Sequence, residues 1–187
     1  PNSTVLVTND GTLQAKGFGI YAESGSGQVT VSQTGSLESF EGKGIYATSG
    51  NGNVEVSKTG TVTAKLDAVT ATSGGGSAKV TQTGAITSYE GRGVVVTSGS
   101  STATLEGSGA ITAKGDAITV SSSVSATVNH TSGAIESTNG SGIKVSASGG
   151  TASVTNSGKI TAFQDGIRSE ATYSNTISQT GAITASN

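Results

Sequence analysis

Cysteine, methionine and tryptophan are missing from this chain of 187 residues, and proline occurs once. Without cysteine there is no disulfide framework, no thiolate metal site and no thiol chemistry. Charge is scarce as well: 12% of residues are charged and the formal net charge is −2. That balance gives no electrostatic ground for expecting nucleic acid or an anionic membrane as partner. No apolar run approaches the roughly 20 residues that cross a bilayer as a helix, so no membrane insertion of this segment is expected.

What the chain does contain is 29 Gly, 30 Ser and 29 Thr, with apolar residues that are mostly β-branched. Disorder calls for low hydrophobicity together with high charge, and the charge is not there. Many short strands separated by Gly-rich turns fit the mixture better. The chain opens at Pro1 and stops at Asn187 part-way through a repeat. Residues 1–187 are therefore expected to form one repeat domain, a fragment of a longer protein.

A motif Gly-x-(Leu/Val/Ile)-x-(Ala/Ser) begins at Gly11, Gly35, Gly60, Gly84, Gly109, Gly133, Gly158 and Gly181. The intervals are 24, 25, 24, 25, 24, 25 and 23 residues. Three apolar columns can be laid in register within them. One runs Leu13, Leu37, Val62, Ile86, Ile111, Ile135, Ile160, Ile183, followed two residues on by Ala or Ser. A second runs Ile20, Ile45, Val69, Val94, Ile118, Ile143, Ile167, and a third Val7, Val31, Val56, Val80, Leu105, Val128, Val154, Ile177. Alternation with period two puts each column on one face of a strand. No window carries a helical stripe, and the unit is too short for a propeller blade. A unit of this size cannot bury its apolar face alone, whereas stacked coils can. The expected fold is all-β: a single-stranded right-handed parallel β-helix, with three strands per coil and seven full coils plus a partial eighth. At about 4.8 Å per coil the rod is roughly 34 Å long. The motif glycines are expected at a corner, where positive φ or close backbone approach is needed.

The alternation of 24 and 25 conceals a stricter period of 49, with Ala after the leading column in one coil type and Ser in the other. Counting back four residues from the second column gives Lys16, Glu41, Lys65, Glu90 and Lys114; counting back two gives Lys43, Asp67, Arg92 and Asp116. Stacked one coil apart, these form two rows of alternating sign, expected to fix coil register more than to add stability. On that reading, reversing Lys65 and Asp67 together lowers the melting temperature.

Signals for chemistry are weak. His130 is the only histidine, so any Ser-His-Asp triad has to use it; its place in Val-Asn-His-Thr-Ser suggests an exposed corner. Polysaccharide-processing sites need carboxylates gathered in a cleft, but the aligned Asp67, Asp116 and Asp165 are two coils apart and interleaved with cations. The calcium nonapeptide Gly-Gly-x-Gly-x-Asp is absent, and Gly74-Gly75-Gly76 lacks the Lys-Ser/Thr sequel of a phosphate loop. No catalytic residue, cofactor or metal site is expected. Binding has more support. Tyr21 and Tyr46 fall at equivalent outward places in adjacent coils and can stack on one wall, beside a row through Thr48, Thr72 and Thr97. Regular Thr rows also suit ice binding, although Glu38, Glu136, Lys144 and Arg168 interrupt them.

The stretches Thr180-Gly181-Ala182-Ile183-Thr184-Ala185, Gly115-Asp116-Ala117-Ile118 and Gly42-Lys43-Gly44-Ile45-Tyr46-Ala47-Thr48-Ser49-Gly50 resemble the repeats of bacterial autotransporter (type V secretion) passenger domains. The resemblance covers the whole chain. It implies secretion across the outer membrane and display at the bacterial cell surface as a β-helical stalk or adhesin. The Gly-Asp-Ser-Gly protease signature of some members is missing, which points to the non-enzymatic branch. Three functions follow as expectations. The first is an adhesin or self-association module acting through the lateral faces on a host or neighbouring-cell protein or glycan. The second is an inert spacer, and the third, a minor one, is a polysaccharide-active enzyme.

Overall fold

A computed structural model describes residues 3–186. Each coil contributes three strands, in the first coil β1 (Val5–Asn9), β2 (Leu13–Ala15) and β3 (Ile20–Ser24). The pattern recurs down to a last strand at Ile183–Ala185, without a helix among the described residues. Every pairing is parallel and joins a strand to its equivalent one coil away, giving sheets of eight, eight and seven strands. The molecule is a parallel β-solenoid. Counted from β2 it has seven complete coils, with β1 before them and one strand of an eighth after them.

The three columns read from period two are the interior up to the last coil, where Ile177 and Ile183 are about half exposed. Val31, Leu37, Ile45, Val56, Ile86, Ile111, Ile118, Ile143 and Val154 are all essentially inaccessible, and with their small neighbours they form one continuous core. Each fully buried aliphatic side chain contributes about 1.5–3 kcal/mol relative to exposure, and β-branching suits the pleat that carries it.

The period of 49 has a physical origin in the corner between the β2 and β3 sheets. Four residues form this corner in the odd coils (16–19, 65–68, 114–117, 163–166) and five in the even coils (40–44, 89–93, 138–142). Ser replaces Ala where the corner is longer, and its hydroxyl does two things there. Ser88 Oγ donates to Leu66 O of the previous coil at 2.7 Å and accepts from the N–H of Gly91 at 3.1 Å. Ser137 does the same with Gly115 O and Gly140 N, and Ser39 with Gly17 O and Gly42 N. The fifth residue leaves backbone groups that the coil-to-coil ladder cannot pair, and the serine pairs them. A second serine ladder, Ser24, Ser49, Ser73, Ser98 and Ser122, ties the corner after the β3 sheet by the same two bonds.

The motif glycines divide by cause. Only Gly109 and Gly133 have positive φ, at 103° and 97°. Gly35, Gly60, Gly84, Gly158 and Gly181 are required by close stacking, a Cβ on Gly60 lying 1.9 Å from Gly35 O, whereas Gly11 in the first coil has open space where a Cβ would be.

His130 is not an exposed corner residue. The strand carrying it, Ser125–His130, continues past Val128, so the next inward position is His130 itself, at 0% exposure. It belongs to an interior seam in the β1 sheet: Asn9, Gln33, Lys58, Gln82, Gly107, His130, Asn156 and Gln179 are successive register partners. The seam exists because the corner glycines leave carbonyls without a ladder partner. Asn9 Nδ2 donates to Gly11 O at 3.1 Å, Asn156 Nδ2 to Gly158 O at 2.7 Å and Gln179 Nε2 to Gly181 O at 2.8 Å. His130 Nε2 lies 3.0 Å from Gly109 O and its Nδ1 lies 2.8 Å from Asn156 Oδ1. Lys58 reaches one coil onward, its Nζ donating to Gly84 O at 2.8 Å. Burial pushes the Lys58 ammonium down to a pKa of about 8.

Candidate binding face

The outer surface of the β3 sheet carries the residues singled out for binding. Strand pairing sets Tyr21 directly on Tyr46. Their rings stack at 5.4 Å between centroids with 20° between planes. Phe18, in the corner just before β3, completes a three-ring group: it meets Tyr21 edge-on at 5.3 Å and Tyr46 at 5.8 Å. Lys43, the cation of the adjacent corner, places Nζ 4.8 Å above the Tyr46 ring, a cation–π contact. The Tyr21 hydroxyl donates to the Glu23 carboxylate. That hydrogen bond to an anion raises the Tyr21 pKa above its ordinary value. Phe18 and Tyr21 are both about half exposed. The group therefore presents ring faces and edges flanked by a carboxylate and an ammonium, a surface able to pack on a sugar or on an apolar side chain.

Phe18 was not among the residues expected here. The missed signal was its offset two places before Ile20, where Lys43, Asp67, Arg92 and Asp116 stand in later coils.

Thr48, Thr72 and Thr97 do align, coil upon coil, and continue into Ser121. Thr97 Oγ1 lies 3.3 Å from Ser121 Oγ. Beside them run the outward residues Thr70, Val95 and Thr119; Thr70 and Val95 are buried despite facing outward. The Thr70 and Thr119 hydroxyls have no hydrogen-bond partner among the described residues. The aromatic group and the Thr row thus share one sheet face, with the rings at the first two coils.

Of the two charge rows, the inner one is partly assembled. Asp67 accepts from Arg92 at Nη2 (3.0 Å) and Nε (3.3 Å), and Lys43 Nζ lies 3.3 Å from its Oδ2. Asp67 Oδ1 also accepts the backbone N–H of Arg92 at 2.9 Å. Burial alone raises the Asp67 pKa, but the Arg92 hydrogen bonds, with the Arg92 and Lys43 charges, outweigh it and hold the carboxyl below its ordinary value. Asp116 takes the N–H of Ser141 at 2.8 Å. Both aspartates therefore serve a backbone donor of the five-residue corner that follows.

The outer row keeps one charge per coil from Lys16 to Lys114 but is offset in register, the N–H of Glu41 donating to Lys16 O and that of Glu90 to Lys65 O. Backbone bonds from Phe40 to Ala15, Lys65 to Ser39, Tyr89 to Ala64 and Lys114 to Ser88 stack Lys16, Phe40, Lys65, Tyr89 and Lys114 in one file. Glu41 and Glu90 are the added residues of the longer corners, set beside that file. Lys16 and Glu41 approach to 3.8 Å. Among the described residues no ion pair within 4.0 Å joins Lys65, Glu90 or Lys114 to a neighbour.

The class that the fold defines is a three-sided parallel β-solenoid with an aromatic group on one wall. No protein-family model matches the chain, and no curated protein or solved structure does either. Among the described residues no helix is long and apolar enough to cross a membrane, and no group of three or more potential metal ligands is brought together.

Proposed function

We propose that this chain is a non-enzymatic adhesive module of a bacterial cell surface that binds through the lateral faces of its rod. The observation that carries the reading is the exposed Phe18–Tyr21–Tyr46 group, with Lys43 and Glu23 at its margins. Monomeric proteins seldom leave several large rings together in solvent without a partner for them. Rings aligned along the rod suit many shallow contacts in succession better than a single deep pocket. The resemblance of the repeats to autotransporter passenger domains supports secretion and display at the outer membrane, with host or neighbouring-cell proteins or glycans as ligands.

The test is binding of bead-immobilised chain to bacterial and host cells and to a glycan panel, with Tyr21→Ala/Tyr46→Ala beside the parent. Binding that falls at least tenfold in the folded double variant supports the reading; binding unchanged by it removes the aromatic group from the function. A spacer is the second reading, favoured by core columns that run unbroken through the coils. Complete absence of binding by the parent chain would select it.

A further inference from the structure

The corner between the β2 and β3 sheets forms one long edge of the rod, and its composition is unlike that of the rest of the surface. Among the described residues, five of the eleven exposed large hydrophobic side chains, Phe18, Phe40, Leu66, Tyr89 and Phe163, lie on it. A shallow hollow of about 240 Å³ opens beside Tyr89, between Thr87, Ala113, Lys114 and Thr138. The outermost charges alternate along the edge as Lys16, Glu41, Lys65, Glu90 and Lys114, one per coil, and the last three have no ion-pair partner within 4.0 Å among the described residues.

A row that alternates in sign is complementary to its own reverse when the axis of reversal falls between two coils. We propose that this edge docks on the same edge of a second copy, the two rods antiparallel about a two-fold axis between the third and fourth coils. The axis pairs coil three with four, two with five and one with six. Lys65 then faces Glu90 of the other copy, and Glu41 faces its Lys114, each pair formed twice. Leu66 meets Tyr89 at the centre and enters the hollow beside that ring. Apolar anchors at the middle with charges around them are the usual arrangement of a specific interface, and a two-fold contact closes instead of growing into a filament. Parallel rods in register would set Lys65 against Lys65 and Glu90 against Glu90. An edge one corner wide belongs to the small, transient interfaces below about 1,200 Å².

This inference rests on the lateral-face reading above, but its central contacts are Lys65, Leu66, Tyr89 and Glu90 and not Tyr21 and Tyr46, so the two fail separately. Sedimentation equilibrium of the purified chain is expected to show a monomer–dimer equilibrium in the micromolar range, weakened at least tenfold by high salt. Lys65→Glu/Lys114→Glu and Glu41→Lys/Glu90→Lys should each lose the homodimer while keeping the parent's β-sheet circular dichroism. An equimolar mixture of the two should restore a dimer. Orientation is read from single cysteines in this cysteine-free chain: Lys16→Cys should form a disulfide with Asn139→Cys across coils one and six, and not with itself. A parent monomeric at every concentration, a mixture that stays monomeric, or Lys16→Cys linking to itself would each overturn the proposal. Cell binding that persists in a monomeric parent and still needs Tyr21 and Tyr46 would leave the lateral-face reading intact.

Discussion

Replacing Lys58 by Gln isolates the energetics of the interior seam. Lys58 is 1% exposed, and burial brings its pKa from 10.5 down to about 8. The unfolded chain retains the ordinary value, so between pH 8 and 10.5 it binds more protons than the folded chain. Stability therefore rises with pH across that window. The drop from 10.5 to about 8 corresponds to roughly 3 kcal/mol. Below pH 8 the folded chain carries the buried ammonium, and that contribution is absent. Gln has the right shape for the site: Gln33 and Gln179 hold the same register and donate to Gly35 O and Gly181 O without a charge. Urea unfolding followed by circular dichroism at several pH values from 7 to 10.5 reads the effect. The variant is expected to be the more stable protein at pH 7, with its advantage shrinking by about 2–3 kcal/mol by pH 10.5. A difference that stays flat across the window would refute the buried ammonium.

Asp67→Ala removes the acceptor of Arg92 and Lys43 and leaves the Arg92 N–H unpaired; a loss of about 1–3 kcal/mol is expected in the same assay. Because the folded pKa of Asp67 is lowered, its contribution is present above the ordinary carboxylate pKa and disappears as pH falls through the folded value, which an acid titration of the melting temperature will show against Asp67→Ala. Lys65→Glu, with no ion-pair partner among the described residues, should change monomer stability by no more than about 0.5 kcal/mol, so the paired reversal of Lys65 and Asp67 acts through Asp67 alone. His130→Ala strands Gly109 O and Asn156 Oδ1 in the core and should cost about 2–4 kcal/mol, with His130→Gln milder because glutamine occupies the same seam elsewhere. Ser88→Ala should cost about 1–2 kcal/mol by freeing Gly91 N and Leu66 O, whereas Ala64→Ser, on a four-residue corner, should gain nothing.

The strands were legible because strands impose one spacing. Once Leu13, Ile20 and Val7 head their columns, alternation assigns every inward residue up to the corner, and the registers Tyr21 with Tyr46 and Thr48 with Thr72 follow. His130 was misjudged by the same rule stopped early. Counting by two from Ala126 and Val128 arrives at His130, as it does from Val31 at Gln33 and from Val56 at Lys58. A polar residue at the end of a strand is easily taken for the start of a turn, and here the turn's own orphan carbonyls draw the polar side chain inward. Corners have no fixed spacing. Counting back from Ile45 or Val94 across a corner one residue longer than its neighbours placed Glu41 and Glu90 in a file that belongs to Phe40 and Tyr89.

The corner that defeated counting is also where the pair of coils acquires a purpose. A solenoid of identical coils would stack like charge on like charge along every edge, about 4.8 Å apart, and would oppose a reversed copy of itself in the same way. Lengthening every second corner by one residue does three things at once. It adds a position, filled by Glu41 and Glu90, whose N–H donates to Lys16 O and Lys65 O of the preceding coil. It sets those glutamates between the coils that carry Lys16, Lys65 and Lys114, so that sign alternates from coil to coil. It also requires a cap, which Ser39, Ser88 and Ser137 provide from within. Sign alternation needs only the charged residues, but the serine and the added residue occur together in coils two, four and six, including the coil where Asn139 replaces the glutamate. The corner is therefore a structural unit first, and its outer residue is free to vary with what the edge must meet.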